Sequence, residues 1–311
     1  MQFAKEFLIN PEPFYTPKIS ISPFTLSKME SSLNKPASTS LSLLELLNFN
    51  GRLQYTKSGK EAIAACFSNL NLSKKQRISI LTTTGNSYVS RCVTDTIAKF
   101  CRFSINPNKL DKHVYVIHEF GSTIEKSKIF NLESRNHVII NDYAYSLLTL
   151  LEDKDKFSCG DYSIFSFPKH IPINFGGAII SQKNFKYKSE LPVNFEKKLI
   201  KVISSELNNE NLSVIISKRR RNRKSYMNLL NNEIYSLYKL SDDDYVPAVL
   251  MLKLSRSANL NQLRNFMNSN GVESSAYFGE NVYFVPLHQE LGKIEIQYIS
   301  NLLNYFMETH D

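Results

Sequence analysis

Between Arg77 and Ile180, short apolar runs alternate with helix-length segments, and this rhythm limits the possible folds more than any other feature of the chain. Arg77–Leu81, Val114–Ile117, Val138–Asp142, Tyr162–Phe167 and Ala178–Ile180 read as strands. Tyr88–Phe100 and Ser122–Glu133 read as helices between them. The strand runs are continuously apolar, the pattern expected of strands covered on both faces. Strand and helix alternating through short links predict a mainly parallel sheet flanked by helices, an α/β architecture. In such sheets functional groups gather beyond the carboxyl ends of the strands. Thr82–Tyr88, His118–Gly121 and Asp142–Ser146 all fall there.

On either side the pattern changes. Residues 1–37 are spaced by Pro11, Pro13, Pro17, Pro23 and Pro36 and read as an arm, with Phe3, Phe7, Phe14 and Phe24 too scattered for a core of their own. Ser38–Asn48 predicts an amphipathic helix. Gln54–Glu61 opens another that runs to about Leu70, with Ser58 as N-cap and Glu61 at capping-box spacing. Lys183 to about Asn211 is polar and charged. Lys218–Lys224 then heads a helix continuing through Tyr226, Leu229, Leu230 and Ile234, a solvated helix start or a nucleic-acid patch. Val246–Leu254, Leu260–Gly271, Val282–Leu287 and Ile294–Phe306 read as a compact α+β domain. The expected organisation is an arm at 1–37, a large α/β domain at 38–215 and a smaller α+β domain at 216–311.

A chain of 311 residues, 42% of them hydrophobic, can bury a sizeable core, which argues against global disorder. The net charge of +9 favours anionic partners, and the single basic cluster comes without a nucleic-acid-binding motif. Cys66, Cys92, Cys101 and Cys159 have no CxxC spacing and no metal-ligand pattern, so they read as reduced thiols of a cytoplasmic protein. No apolar run is long enough for a membrane span, and no signal-peptide pattern opens the chain.

Gly160–Ile180 holds the candidate chemistry. The strand Tyr162–Phe167 leads into Pro168-Lys169-His170, and a short loop reaches Gly176-Gly177. A lysine ringed by apolar residues loses its proton cheaply and can form a Schiff base with an aldehyde. An Asp at the end of the Val138–Asp142 strand can hold a pyridine nitrogen charged, so the pair suits pyridoxal phosphate (PLP). Taken singly, a turn lysine is ordinarily solvated and a strand-end Asp ordinarily a cap. Ser58-Gly59 at a helix start offers N–H groups and the positive dipole end to a phosphate, or is a plain cap.

Together Ser58-Gly59, Tyr88, Asp142, Ser166, Lys169 and Gly176-Gly177 resemble, in that order, the DegT/StrS group of PLP-dependent sugar aminotransferases, of fold type I. The likeness covers about Gln54–Ile180, with a weaker echo at Phe284–Gln289 of the group's proline-histidine motif. It implies PLP as cofactor, Lys169 as the Schiff-base residue and Asp142 at the pyridine nitrogen. It further implies Ser58, Gly59, Lys60 and Ser166 at the phosphate, Tyr88 stacked on the ring, and Tyr145 beside the ring oxygen in place of His or Gln. The implied reaction passes an amino group from an amino-acid donor, expected to be glutamate, to a nucleotide-linked keto-sugar, supplying amino-sugars for surface polysaccharide. A homodimer is implied too, with Asn222 or Arg223 near the partner's cofactor or substrate phosphate. The chain departs from the group at Asn174-Phe175, at Lys60-Glu61 and in a short segment after Gly177. Some relatives carry His for Lys and dehydrate sugars, and His170 is adjacent. A PLP-fold dehydratase and a catalytically silent regulatory protein are therefore the other readings.

Overall fold

The structure is a computed structural model that describes residues 19–22, 24–35, 41–240 and 244–310. Phe3, Phe7, Phe14 and the expected helix start at Ser38 lie outside the described residues. The described chain divides into two compact units. One runs over 24–213 and takes in Leu240–Val246; the other holds 19–22, Val214–Lys239 and 247–310.

The larger unit is built on a seven-stranded sheet. In chain order its strands are β1 (Arg52–Thr56), β2 (Arg77–Thr82), β3 (Arg102–Ile105), β4 (His113–Ile117), β5 (Val138–Asp142), β6 (Tyr162–Ser166) and β7 (Gly177–Ser181). Their spatial order is β1-β7-β6-β5-β4-β2-β3. β2 through β6 pair in parallel, and β7 pairs antiparallel with both β6 and β1. Helices α1 (Leu26–Asn34), α2 (Leu43–Leu47), α3 (Gly59–Leu70), α4 (Arg91–Ile97), α5 (Lys126–Ser134), α6 (Leu147–Glu152) and α7 (Val193–Glu206) complete this unit.

Because side chains alternate along a strand, each strand feeds two cores. Ile78, Ile80, Tyr115, Ile140, Ile164 and Ile179 pack with Ala62, Ile63 and Phe67 of α3 and Ile97 of α4. Val114, Val116 and Ile139 turn the other way, onto Ile129 of α5. At α3, Ser58 Oγ accepts the Glu61 N–H at 3.1 Å, but the Glu61 carboxylate takes Lys57 N–H at 2.6 Å. The expected capping box is therefore half formed. Glu61 also accepts Tyr187 Oη–H and Glu190 N–H, each at 2.9 Å, and so ties the segment after β7 to the start of α3.

The chain returns to this unit late. Val246 N–H donates to Thr149 Oγ1 at 2.9 Å, and a Cβ on Gly121 would stand 2.1 Å from Val246 O.

The other unit has a four-stranded antiparallel sheet, β10-β11-β9-β8, formed by β8 (Tyr235–Leu237), β9 (Val249–Leu254), β10 (Ser275–Tyr277) and β11 (Val282–Pro286). Its core joins Leu250, Leu252, Val285, Leu263, Ile299, Leu302 and Phe306, the last four supplied by helices α9 (Leu260–Ser269) and α10 (Lys293–Thr309). Ile19 bridges to Val272 here.

Several expectations are corrected. The polar stretch after Lys183 contains α7, which buries Leu199, Val202 and Ile203 at helical spacing. The helix expected from Tyr88 begins at Arg91, after Ser90. The basic run Lys218–Lys224 is not a helix start: it lies inside α8 (Asn209–Leu229). Within it Arg219 is 1% exposed and Asn222 is buried. Arg219 Nε donates to Gln289 Oε1 at 2.9 Å and Nη1 to Pro247 O at 3.2 Å. No carboxylate pairs with it among the described residues, and burial pushes its pKa down to about 10. Asn222 Nδ2 donates to His288 O at 3.0 Å, and Tyr226 Oη to Pro286 O at 3.0 Å. These three side chains hold the 286–289 turn of their own unit, so Asn222 is not turned outward toward a partner's phosphate.

Candidate active site

Three strand ends bring the candidate residues together. β5 delivers Asp142, buried at the carboxyl end of the sheet. Register fixes its neighbours, since Ile117 of β4 and Ile164 of β6 flank it. Its Oδ1 accepts the Ala144 N–H at 2.9 Å and its Oδ2 accepts Tyr115 Oη–H at 2.7 Å. Tyr115 stands two places before Ile117 on β4 and is fully buried. Burial first, and then the Asp142 charge, pushes its phenol pKa well up, so the phenol stays a donor. Two donors leave lone pairs on both Asp142 oxygens for a further cationic N–H.

β6 ends at Ser166, and a 3₁₀ turn, Phe167–Lys169, follows directly. Lys169 is half-buried, and its Nζ stands 3.4 Å from the centroid of the Tyr145 ring. Tyr145 comes from the turn just after Asp142, so the two candidate catalytic groups belong to adjacent strands and share one neighbourhood. The Tyr145 ring in turn packs on Phe120, centroids 5.6 Å apart. His170, next to Lys169, is fully buried, and its Nε2 lies 2.9 Å from Ala144 O, where it donates.

The third strand end is a glycine junction. Thr56 and Ser166 both face Gly177 across the antiparallel pairs of β7, and Ser58 bridges to Gly176. A Cβ on Gly177 would lie 2.6 Å from Gly59 N and from Ser58 C. One on Gly59 would lie 2.8 Å from Ser166 Cβ and 3.1 Å from Ser166 Oγ. Only glycine lets the first turn of α3, the end of β6 and the start of β7 approach this closely. The Ser166 hydroxyl thereby stands beside the N-terminus of α3, where Ser58, Gly59 and the exposed Lys60 begin a twelve-residue helix. N–H groups and the dipole there favour an anion.

Tyr88 is half-buried on the loop after β2, its N–H bonded to Asn86 Oδ1 at 2.8 Å. β4 lies between β2 and β5, so Tyr88 stands one strand further along the same edge. Two supporting side chains carried no signal of their role in the sequence. Tyr115 is one. The other is His118, buried after β4, whose Nδ1 accepts Ile124 N–H at 3.1 Å. Its Nε2 therefore carries the proton and donates to Asn141 Oδ1 at 3.1 Å. The ring stacks on Tyr143 at 4.0 Å, and burial pushes its pKa down to about 4. A strand period of two, applied to β4 against the Asp142 register, would have found Tyr115.

No protein-family profile and no curated protein matches the chain. Solved structures do. It is similar to DesI, determined in the presence of its TDP-sugar product, with a TM-score of 0.68, 12% identity, and 96% of this chain and 95% of that one covered. It is similar to the E. coli GDP-4-keto-6-deoxy-D-mannose-3-dehydratase with bound hydrated PLP, with a TM-score of 0.62, 14% identity, and coverage of 93% and 100%. It is also similar to Spr1654 of Streptococcus pneumoniae, described as a sugar aminotransferase, in its apo form, with a TM-score of 0.62, 12% identity, and coverage of 96% and 98%. At this identity the likeness establishes the fold, that of fold type I PLP-dependent transferases.

Proposed function

We propose that this chain is a PLP-dependent aminotransferase that transfers an amino group from an amino-acid donor to a nucleotide-linked keto-sugar. One observation carries the reading. Lys169, Asp142 and the Gly59–Ser166 cradle converge at the carboxyl edge of a fold type I sheet. These residues fit PLP. The start of α3, with Ser58, Gly59, Lys60 and the Ser166 hydroxyl, would hold the phosphate. Asp142, oriented by Tyr115 and Ala144, would hold the pyridine nitrogen, and Tyr88 would cover the ring. When bound, the cofactor supplies an electron sink for the bond being broken. The protein's part is to bind, orient and move protons. Lys169 would hold the cofactor and, as a free amine, would take up or give the proton at the donor's α-carbon. The buried Asp142, already oriented by its hydrogen bonds from Tyr115 and Ala144, would face the ring nitrogen without rearranging.

Similarity to DesI and Spr1654 supports a sugar as acceptor, and glutamate is the donor we propose. A supply of amino-sugars for surface polysaccharide, a cytoplasmic location and a homodimer belong to the same proposal. Among the described residues no helix is long and apolar enough to cross a membrane. Similarity to the dehydratase keeps that chemistry in view. An imidazole at the lysine position would be needed, however, and His170 is buried with its Nε2–H spent on Ala144 O.

Borohydride reduction of the PLP-loaded protein tests the reading. PLP should be fixed to the peptide carrying Lys169, and Lys169→Ala should lose the label and all transamination while phosphate contacts retain some cofactor. Label on Lys60 or Lys183, or no label, would overturn the assignment. A labelled protein inert toward glutamate and keto-sugar nucleotides would favour the silent regulatory reading.

A further inference from the structure

The ring of Tyr145 meets Lys169 with its face, not its edge. Nζ at 3.4 Å from the centroid is well inside the range at which an ammonium is drawn to an aromatic face. The family resemblance implies Tyr145 beside the cofactor's ring oxygen, in place of His or Gln. In the structure it is the π surface that engages the lysine, and Gln offers no such surface.

The ring is also braced at some cost. Phe120 packs against it at 5.6 Å and 39°. To do so Phe120 adopts φ 50, followed by Gly121 at φ 105. A bulky residue with positive φ is strained, and such strain persists only where the surroundings over-determine it. Here they do. Gly121 O accepts Thr149 Oγ1–H at 2.7 Å, Ser122 N–H donates to Glu119 O at 2.8 Å, and Gly121 abuts the Val246 carbonyl. The loop is fixed on several sides, and what it presents to Tyr145 is the Phe120 ring.

We propose that Tyr145, braced by Phe120, is a positioning residue that seats the Lys169 amine whenever it is not covalently engaged. The inference rests on the proposed function, in which Lys169 is the reactive amine. A freed lysine has a flexible four-carbon stem and many rotamers. Held over the Tyr145 face, it stays beside the turn that follows Asp142 instead of swinging into solvent.

The contact itself is tested without cofactor. Full-length protein with ¹³C-labelled lysine ε-carbons should show one ε-methylene proton signal displaced upfield by the ring current, assigned through its loss in Lys169→Arg. The signal should persist in Tyr145→Phe, vanish in Tyr145→Leu and weaken in Phe120→Leu, which is the check if Tyr145→Leu does not fold. In the PLP-loaded enzyme Tyr145→Leu should lower kcat about tenfold at unchanged KM, and Tyr145→Phe should restore it. A wild-type spectrum without the displaced signal overturns the seat. So does a Tyr145→Phe enzyme that keeps the signal yet falls as far as Tyr145→Leu, since the hydroxyl would then be the working group. Failure of the borohydride label at Lys169 would instead remove the proposed function, whatever the spectrum shows.

Discussion

His118 shows how a buried side chain acquires a fixed charge state. Its two nitrogens are committed, one accepting from Ile124 and one donating to Asn141, and a second proton would have no acceptor. Burial holds the folded pKa near 4, against 6.5 in an unfolded chain. The unfolded state therefore takes up the proton first as pH falls. The stability tied to neutral His118 is fully present above about pH 6.5 and is lost progressively down to about pH 4. That window is worth roughly 3 kcal/mol at most by linkage. Urea midpoints measured at pH 7 and pH 4.5 should fall further for the wild type than for His118→Gln, which cannot take the proton. Equal falls would mean that the imidazole is not held neutral.

At the scale of elements, the glycine junction depends most on single atoms. In Gly177→Ala the new Cβ would meet backbone atoms of Ser58 and Gly59 at 2.6–2.7 Å, where no side chain can rotate away. The start of α3 must then separate from β7. The expected cost is at least the roughly 1–3 kcal/mol typical of overpacking, read as a lowered thermal midpoint, with PLP affinity reduced as well. An unchanged midpoint and affinity would show that the junction can give way. The same scale explains what could be read in advance. β2, β4, β5, β6 and β7 announce themselves because strands buried on both faces must be apolar throughout. β1 and β3 do not: Arg52–Thr56 is only partly buried, and Arg102–Ile105 lies at the sheet edge, so their sequences look like loop. α7 hides its apolar stripe among Lys, Glu and Asn. Arg219 is harder still. A run of six cations and an asparagine reads as solvent-facing, and the burial of Arg219 and Asn222 within it depends on Pro247, His288 and Gln289, far along the chain. One local clue existed. The buried positions Leu230 and Tyr226 continue backward at helical spacing to 222 and 219, and that stripe outweighs charge. The candidate residues could be placed in the fold for a different reason: Ser58, Asp142, Ser166 and Lys169 sit where strands and helices end, and those ends can be read. Tyr115 lies inside an apolar run, where only register reveals it, and the partners that fix His118, Asn141 and Ile124, come from outside its own strand.

At the scale of the whole molecule, the proposed assembly is a C2 homodimer. Leu26, Phe130, Val193 and Phe195 of the larger unit are large apolar side chains left exposed in the single chain. Light scattering on the active, PLP-loaded protein should return about twice the chain mass of 35.7 kDa; a monomer would end the dimer proposal. The late return of the chain at Tyr245 and Val246 has a further consequence, for biosynthesis. The wall that Val246 builds against Gly121 and Thr149 belongs to the unit whose preceding segment ends at Ser213. A growing chain therefore holds nearly all of its larger unit, still open at that wall, until the ribosome has added the intervening residues. At ordinary elongation rates that delay is on the order of a few seconds. Throughout it, the loop that carries Phe120 lacks its final support, and the nascent chain is then most open to chaperones, proteases and misassociation.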